Sequence, residues 1–157
     1  TQQETLFPYT TLFRSGLAAT RATFENPGDH VILPEIISKE PLGPLVRHGD
    51  NDWGDVVRWV LNGLIIAEEK GITQANVMEM ASAPTDSPEI NRMLGTEGEY
   101  GAMLGLEPDF MVQAIAANGN YGEIFAEYIG EDTDIGLARG LNALYTDGGI
   151  LYAPPFR

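Results

Sequence analysis

The strongest periodic signal in the chain is the apolar series Trp53, Val56, Val57, Val60, Leu61, Leu64 and Ile65, whose positions fall on one face of an α-helix. Asp50 or Asn51 can cap its first turn, and Asp52 and Asp55 sit at the positive end of its dipole. Gly71 can end it in a left-handed turn. Ahead of this helix, Gly16 to Phe24 is Ala-rich and helix-compatible until Asn26-Pro27-Gly28-Asp29 forces a turn. The β-branched stretches His30-Val31-Ile32-Leu33-Pro34 and Glu35-Ile36-Ile37-Ser38-Lys39 then read as extended. Pro34, Pro41 and Pro44 each remove a ladder donor, which fits a crossing or edge strand, closed by His48-Gly49-Asp50.

The remainder reads as short helices separated by turns. Thr73 can cap a segment running to Met80, and Ser87-Pro88-Glu89 is a cap followed by proline at the first helical position, with an end at Gly95. Glu107-Pro108 opens a helix through Met111, Val112 and Ile115 to Gly119. Tyr121, Ile124, Phe125, Tyr128 and Ile129 mark another that stops at Gly130. From Asp134 to Tyr145, residues Ile135, Ala138, Leu141 and Leu144 share a helical face before Thr146-Asp147-Gly148-Gly149 turns the chain. A lone extended region cannot satisfy its own backbone groups, so the helices either bundle or cover a sheet whose other strands are missing.

Composition narrows the classes. With 157 residues and 43% apolar positions the chain is long enough for one core, by the usual ~150 residues per domain. Nine Lys and Arg stand against 23 Asp and Glu, and a net charge of −14 argues against a phosphate-tracking nucleic-acid surface or an anionic membrane face. The absence of cysteine excludes disulfides, zinc-thiolate sites and cysteine nucleophiles. The most apolar stretch, Trp59 to Ala67, is interrupted by Asn62 and Gly63 and falls far short of the ~20 residues of a membrane helix, so the chain reads as soluble. Thr1 opens the sequence without a basic and apolar leader pattern.

No group of residues announces a chemistry. His30 lies beside an Asp in a turn and His48 precedes a glycine, both better read as turn or cap residues. Asp50-Asn51-Asp52-Trp53-Gly54-Asp55 fails the calcium-loop order at Trp53 and offers Leu61 where the bidentate Glu belongs, so capping explains it. In Gly95-Thr96-Glu97-Gly98-Glu99-Tyr100-Gly101 the two glutamates would repel a phosphate. Ser15, Ser38, Ser82 and Ser87 form no nucleophile elbow. Glu35 and Glu40 could make an acid–base pair, though exposed charges on a crossing strand are the simpler reading. Tyr121, Phe125 and Tyr128 have the spacing of a core face rather than of an aromatic stacking surface.

Thr5-Leu6-Phe7-Pro8-Tyr9-Thr10-Thr11-Leu12-Phe13-Arg14-Ser15 reads as the in-frame translation of a short-read sequencing adapter. Residues 1–15 are therefore expected to be foreign, with native sequence from Ser15 or Gly16 onward. From there, His30-Val31-Ile32-Leu33-Pro34-Glu35-Ile36-Ile37-Ser38-Lys39-Glu40-Pro41-Leu42-Gly43-Pro44 and Val46-Arg47-His48-Gly49-Asp50 resemble the strand returning between lobes in periplasmic amino-acid-binding proteins. Gly119-Asn120-Tyr121-Gly122-Glu123-Ile124-Phe125 and Arg139-Gly140-Leu141-Asn142-Ala143-Leu144-Tyr145 resemble the carboxy-terminal signature of the general L-amino-acid-binding group within solute-binding protein family 3. The ending Thr146-Asp147-Gly148-Gly149-Ile150-Leu151-Tyr152-Ala153-Pro154-Pro155-Phe156-Arg157 does the same.

That resemblance implies an α/β fold of the periplasmic-binding-protein type II kind, of which this chain is the α-rich carboxy-terminal part. Residues 16–30 would end the second lobe, 31–50 would be the inter-lobe return strand, and 51–157 would pack on the first lobe. It implies a periplasmic, non-enzymatic component of an amino-acid ABC transporter, with an L-amino acid as ligand, a membrane permease as partner, contact with the membrane only through that complex, and no cofactor, metal or nucleic acid. The Asp expected just before Ser15-Gly16 to hold the ligand ammonium is replaced, and the Arg expected for its carboxylate lies outside the chain, so no ligand-binding residue is assigned. A cyclohexadienyl dehydratase-like enzyme on the same fold and a purely helical interaction module are the alternatives.

Overall fold

The computed structural model describes residues 12–33 and 43–157, with side chains from residue 16 onward. It divides into two compact units. One holds the described residues up to Leu45 together with Phe125–Leu151, the other Val46–Ile124 with Tyr152–Arg157. Among the described residues the elements are seven α-helices and three short 3₁₀ turns, with a single isolated β-bridge.

The second unit is built around α2, which runs over Asn51–Glu69 after α1 (Leu12–Ala22). The Asp50 carboxylate caps α2 by accepting from the Trp53 amide at 3.4 Å. At its far end Gly71, at φ 67°, lets the Ile72 and Gly71 amides bond back to the Ala67 and Glu68 carbonyls, a Schellman closure. The expected apolar stripe is only partly the buried face. Trp53 is 55% exposed, whereas Ile65, Ile66 and Ala67 are almost fully buried. The reason lies in what packs where: α6 (Phe110–Asn118) and α3 (Val77–Met80) lie against one another, and α6 lies against α2. Gly63, which interrupts the apolar stretch in sequence, is the notch that admits Met111, since a Cβ there would collide with the Met111 thioether.

Between these helices, α4 (Pro88–Met93) starts on the Ser87 hydroxyl, which accepts from the Ile90 amide at 3.4 Å, and ends through Gly95 with another Schellman closure onto Asn91 and Arg92. A further turn, α5 (Tyr100–Met103), falls in a stretch whose glycines gave no helical signal. The segment after Thr73 differs from expectation. Thr73 is not the cap of a helix reaching Met80; the Asn76 side chain accepts from the Thr73 amide at 2.7 Å and donates to the Gly71 carbonyl at 3.0 Å, holding a turn that delays α3 to Val77.

In the first unit α1 starts at Leu12, earlier than Gly16, and buries Ala18. A 3₁₀ turn at Pro27–Asp29 follows, and His30 is extended, at φ −116° and ψ 130°. Residues 31–33 and 43–47 carry no ladder pairing, and the middle of the expected return strand, including Glu35, Ser38 and Glu40, lies outside the described residues. The last helix, α7 (Tyr121–Ile129), is where the chain passes from one unit to the other.

The expected helix over Asp134 to Tyr145 is not formed. Gly136 and Gly140 adopt left-handed φ of 64° and 51°, and the Thr133 hydroxyl accepts from the Ile135 and Gly136 amides while donating to the Gly130 carbonyl. The chain instead makes 3₁₀ turns at Gly140–Asn142 and Tyr145–Asp147, closed by a parallel bridge between the buried Leu144 and Leu151.

Candidate functional site

Most residues that sequence reasoning singled out serve the local backbone. Asp50 caps α2, and Asp55 pairs with Arg58 at 3.1 Å, so the acidic run before and within α2 is a capping and surface arrangement. His48 sits exposed in the turn ahead of α2. Ser82 donates to the Glu79 carbonyl at 2.6 Å and Ser87 caps α4, which leaves neither as a poised nucleophile. In the glycine-rich stretch, a Cβ on Gly95 or Gly101 would run into the Pro108 or Glu107 carbonyl, so those glycines permit close backbone approach within the unit. Among the described residues no three His, Asp or Glu side chains gather as a metal site.

The aromatic group on α7 separates. Phe125 is 5% exposed, with the Arg139 guanidinium 5.0 Å from its ring centroid, whereas Tyr128 is 62% exposed. The spacing thus gives one core residue and not a continuous core face.

One concavity stands out in the first unit, a cavity of about 490 Å³ between the end of α1, the Pro27–Ile32 segment and residues 135–138. That volume is typical of small-molecule pockets, ~300–1,000 Å³. Arg21 and His30 contribute its ionisable groups, and Ile32, Ile135 and Leu137 much of its apolar wall. His30 is itself packed edge-on against Phe24, with centroids 4.7 Å apart. A guanidinium can pair with a carboxylate, but the described lining supplies no carboxylate for an ammonium. The described lining thus carries cationic and apolar groups and no anionic one.

Sequence reasoning missed a polar bracket in the second unit. The Asn120 side-chain carbonyl accepts from the Glu123 amide at 3.0 Å, and the Glu123 carboxylate accepts from the Asn120 amide at 2.8 Å, a reciprocal capping box at the start of α7. Glu123 also accepts from the Gln74 amide at 3.0 Å, and the Gln74 side chain donates to the Ala116 and Ala117 carbonyls at the end of α6. The Asn-x-x-Glu spacing at 120–123 is the signal that could have found it.

Relatives carry the assignment further. No family model matches the chain. It is 64% identical over 143 residues, 91% of its length, to the glutamate/glutamine/aspartate/asparagine-binding protein of Rhodobacter capsulatus, of which it covers 42%. The chain is homologous to amino-acid-binding proteins. It is also 55% identical to the general L-amino acid-binding periplasmic protein of Rhizobium johnstonii, over 92% of this chain and 42% of that one. A putative amino-acid ABC transporter-binding protein of Escherichia coli K12 is 45% identical over 92% of the chain and matches over 42% of its own length. Among solved structures, an ABC transporter periplasmic binding protein from Brucella ovis with glutathione bound superposes with a TM-score of 0.85 at 53% identity, over 92% of this chain and 45% of that one. The fold is thus that of an α-rich part of a periplasmic binding protein, and the chain spans under half the length of the relatives it matches.

Proposed function

We propose that this chain is part of the solute-binding component of an amino-acid ABC transporter, working in the periplasm without catalysis. Its identity of 64% to a protein named for binding four related amino acids carries the reading. In this role an L-amino acid is captured by closure of the complete protein around it and passed to a membrane permease. The named relatives differ in breadth, from four side chains to amino acids in general, and the glutathione of the solved neighbour carries an α-amino acid at its γ-glutamyl end. The shared chemistry is an ammonium beside a carboxylate.

Moving a zwitterion out of water requires partners for both charges. On this reading the chain by itself does not bind the ligand, which is supported by a described cavity whose lining carries a guanidinium and no carboxylate. Isothermal titration with L-glutamate and L-glutamine tests this, using the chain alone and the chain joined to the portion of the Rhodobacter relative that it does not span. Heat from the joined protein only is the expected result. Silence from both would overturn the receptor assignment, and binding by the short chain would overturn its incompetence.

A further inference from the structure

An Asn or Asp followed by glycine is where a polypeptide backbone rearranges most readily, because a glycine amide carries no side chain to hinder attack on the preceding side-chain carbonyl. The chain has three such pairs, Asn62-Gly63, Asn118-Gly119 and Asp147-Gly148. Two are held. Gly63 is buried inside α2, with the Met111 thioether where a Cβ would sit. Gly119 is buried against the Glu123 side chain, and its amide donates to the Ile115 carbonyl at 2.7 Å. The Asn118 side-chain amide is itself engaged, donating to the Ala114 carbonyl at 3.2 Å. The third pair is open. Asp147 and Gly148 are both exposed, and nothing lies within 4 Å of a Cβ on Gly148. Its amide reaches the Tyr145 carbonyl only at 3.4 Å, beyond the usual ~3.2 Å.

We propose that Asp147-Gly148 is a self-modification site, at which aspartate converts to isoaspartate. The Gly148 amide nitrogen attacks Cγ of the protonated Asp147 carboxyl. The new N–Cγ bond closes a succinimide ring, and the amide proton leaves with the carboxyl hydroxyl as water. Water then adds back. Opening at the Asp147 main-chain carbonyl breaks that carbon's bond to nitrogen and routes the chain through Cγ, whereas opening at Cγ restores aspartate. Mass is unchanged overall, and water is the only other reactant. The rerouted backbone is longer by one methylene, inside a turn that has little slack. The Asp147 and Gly149 amides both donate to the Leu144 carbonyl at 2.9 Å, and the Tyr145 amide donates to the Leu151 carbonyl at 2.9 Å. A Cβ on Gly149 would strike the Ala143 carbonyl. Isomerisation therefore loosens the parallel bridge between the buried Leu144 and Leu151.

The test incubates the full chain for weeks in warm, mildly acidic buffer, with and without guanidinium chloride at an unfolding concentration. Its peptides are then separated and fragmented by electron transfer, which distinguishes isoaspartate from aspartate. An isomer of unchanged mass at residue 147 is expected to accumulate in the folded chain, within a few-fold of its rate in denaturant. Deamidation at Asn62 and Asn118 is expected to be at least ~10-fold slower folded than unfolded, since the fold must open locally before either glycine amide can attack. Asp147→Glu, which would have to close a slower six-membered ring, is expected to abolish the isomer. Hydrogen exchange of the Tyr145 and Leu151 amides is expected to quicken in the isomerised fraction. Absence of isoaspartate at 147, equal protection of all three pairs by the fold, an isomer that persists in the Glu variant, or unchanged exchange would each overturn the proposal. No solute is present, so its failure is separate from failure of the receptor assignment.

Discussion

The Asn120 side chain donates to the Ile72 carbonyl at 2.9 Å while its oxygen accepts from the Glu123 amide, and the residue is 5% exposed. Removing it leaves a buried carbonyl and a helix-start amide unpaired together. Asn120→Ala is expected to cost about 2–3 kcal/mol, more than an exposed cap, as read from urea unfolding. Lys70 offers a second case. Its ammonium lies 2.9 Å from Glu69 and 3.2 Å from Glu89, and the hydrogen bond to Glu69 raises its pKa above the usual 10.5 against the opposing effect of burial, with Glu89 adding to the rise. A raised folded value means that the ion pairs stabilise fully below the usual lysine range and lose that effect as pH climbs through the folded value. Glu89→Gln should therefore cost about 0.5–1 kcal/mol at neutral pH, and the gap to wild type should close at strongly alkaline pH. A gap that stays constant into alkali would contradict this.

Helix ends show why local sequence was informative for some elements and silent for others. Gly71 and Gly95 both end a helix with positive φ, and both ends were legible because glycine there follows an amphipathic or capped run. Their environments were not legible. Nothing lies within 4 Å of a Cβ on Gly71, whereas on Gly95 it would meet the Pro108 carbonyl. Gly71→Ala is expected to cost about 1 kcal/mol from dihedral strain alone, and Gly95→Ala at least about 2–3 kcal/mol because backbone must also move. Thermal unfolding of the two variants side by side checks the difference. The tail was misread for the opposite reason: Ile135, Ala138, Leu141 and Leu144 keep helical spacing, but Gly136, Gly140 and the Thr133 hydroxyl win locally. α5 was missed because its residues, Tyr100–Met103, carry no periodic stripe and are defined by Gly101 tucking against Glu107.

For the molecule as a whole, the charge imbalance is the property that contacts do not cancel. A net charge of −14 on 157 residues repels itself in the compact state, and added salt screens it. The melting temperature is expected to rise by a few degrees between low salt and about 0.3 M sodium chloride. A fall would mean that Lys70-type pairs outweigh the diffuse repulsion.

The sequence by itself determined α2, α4, α6 and α7, the caps of α2 and α4, the acidic surface, and a resemblance that the relatives bear out, because these rest on near-neighbour chemistry and on long ordered blocks of residues. Only the tertiary structure decided that Gly63 is a seat for Met111, that Trp53 faces outward, and that Gln74 ties α6 to the start of α7. Each of those depends on a partner many residues away, and a helical or extended pattern fixes which face is apolar without fixing what comes to cover it.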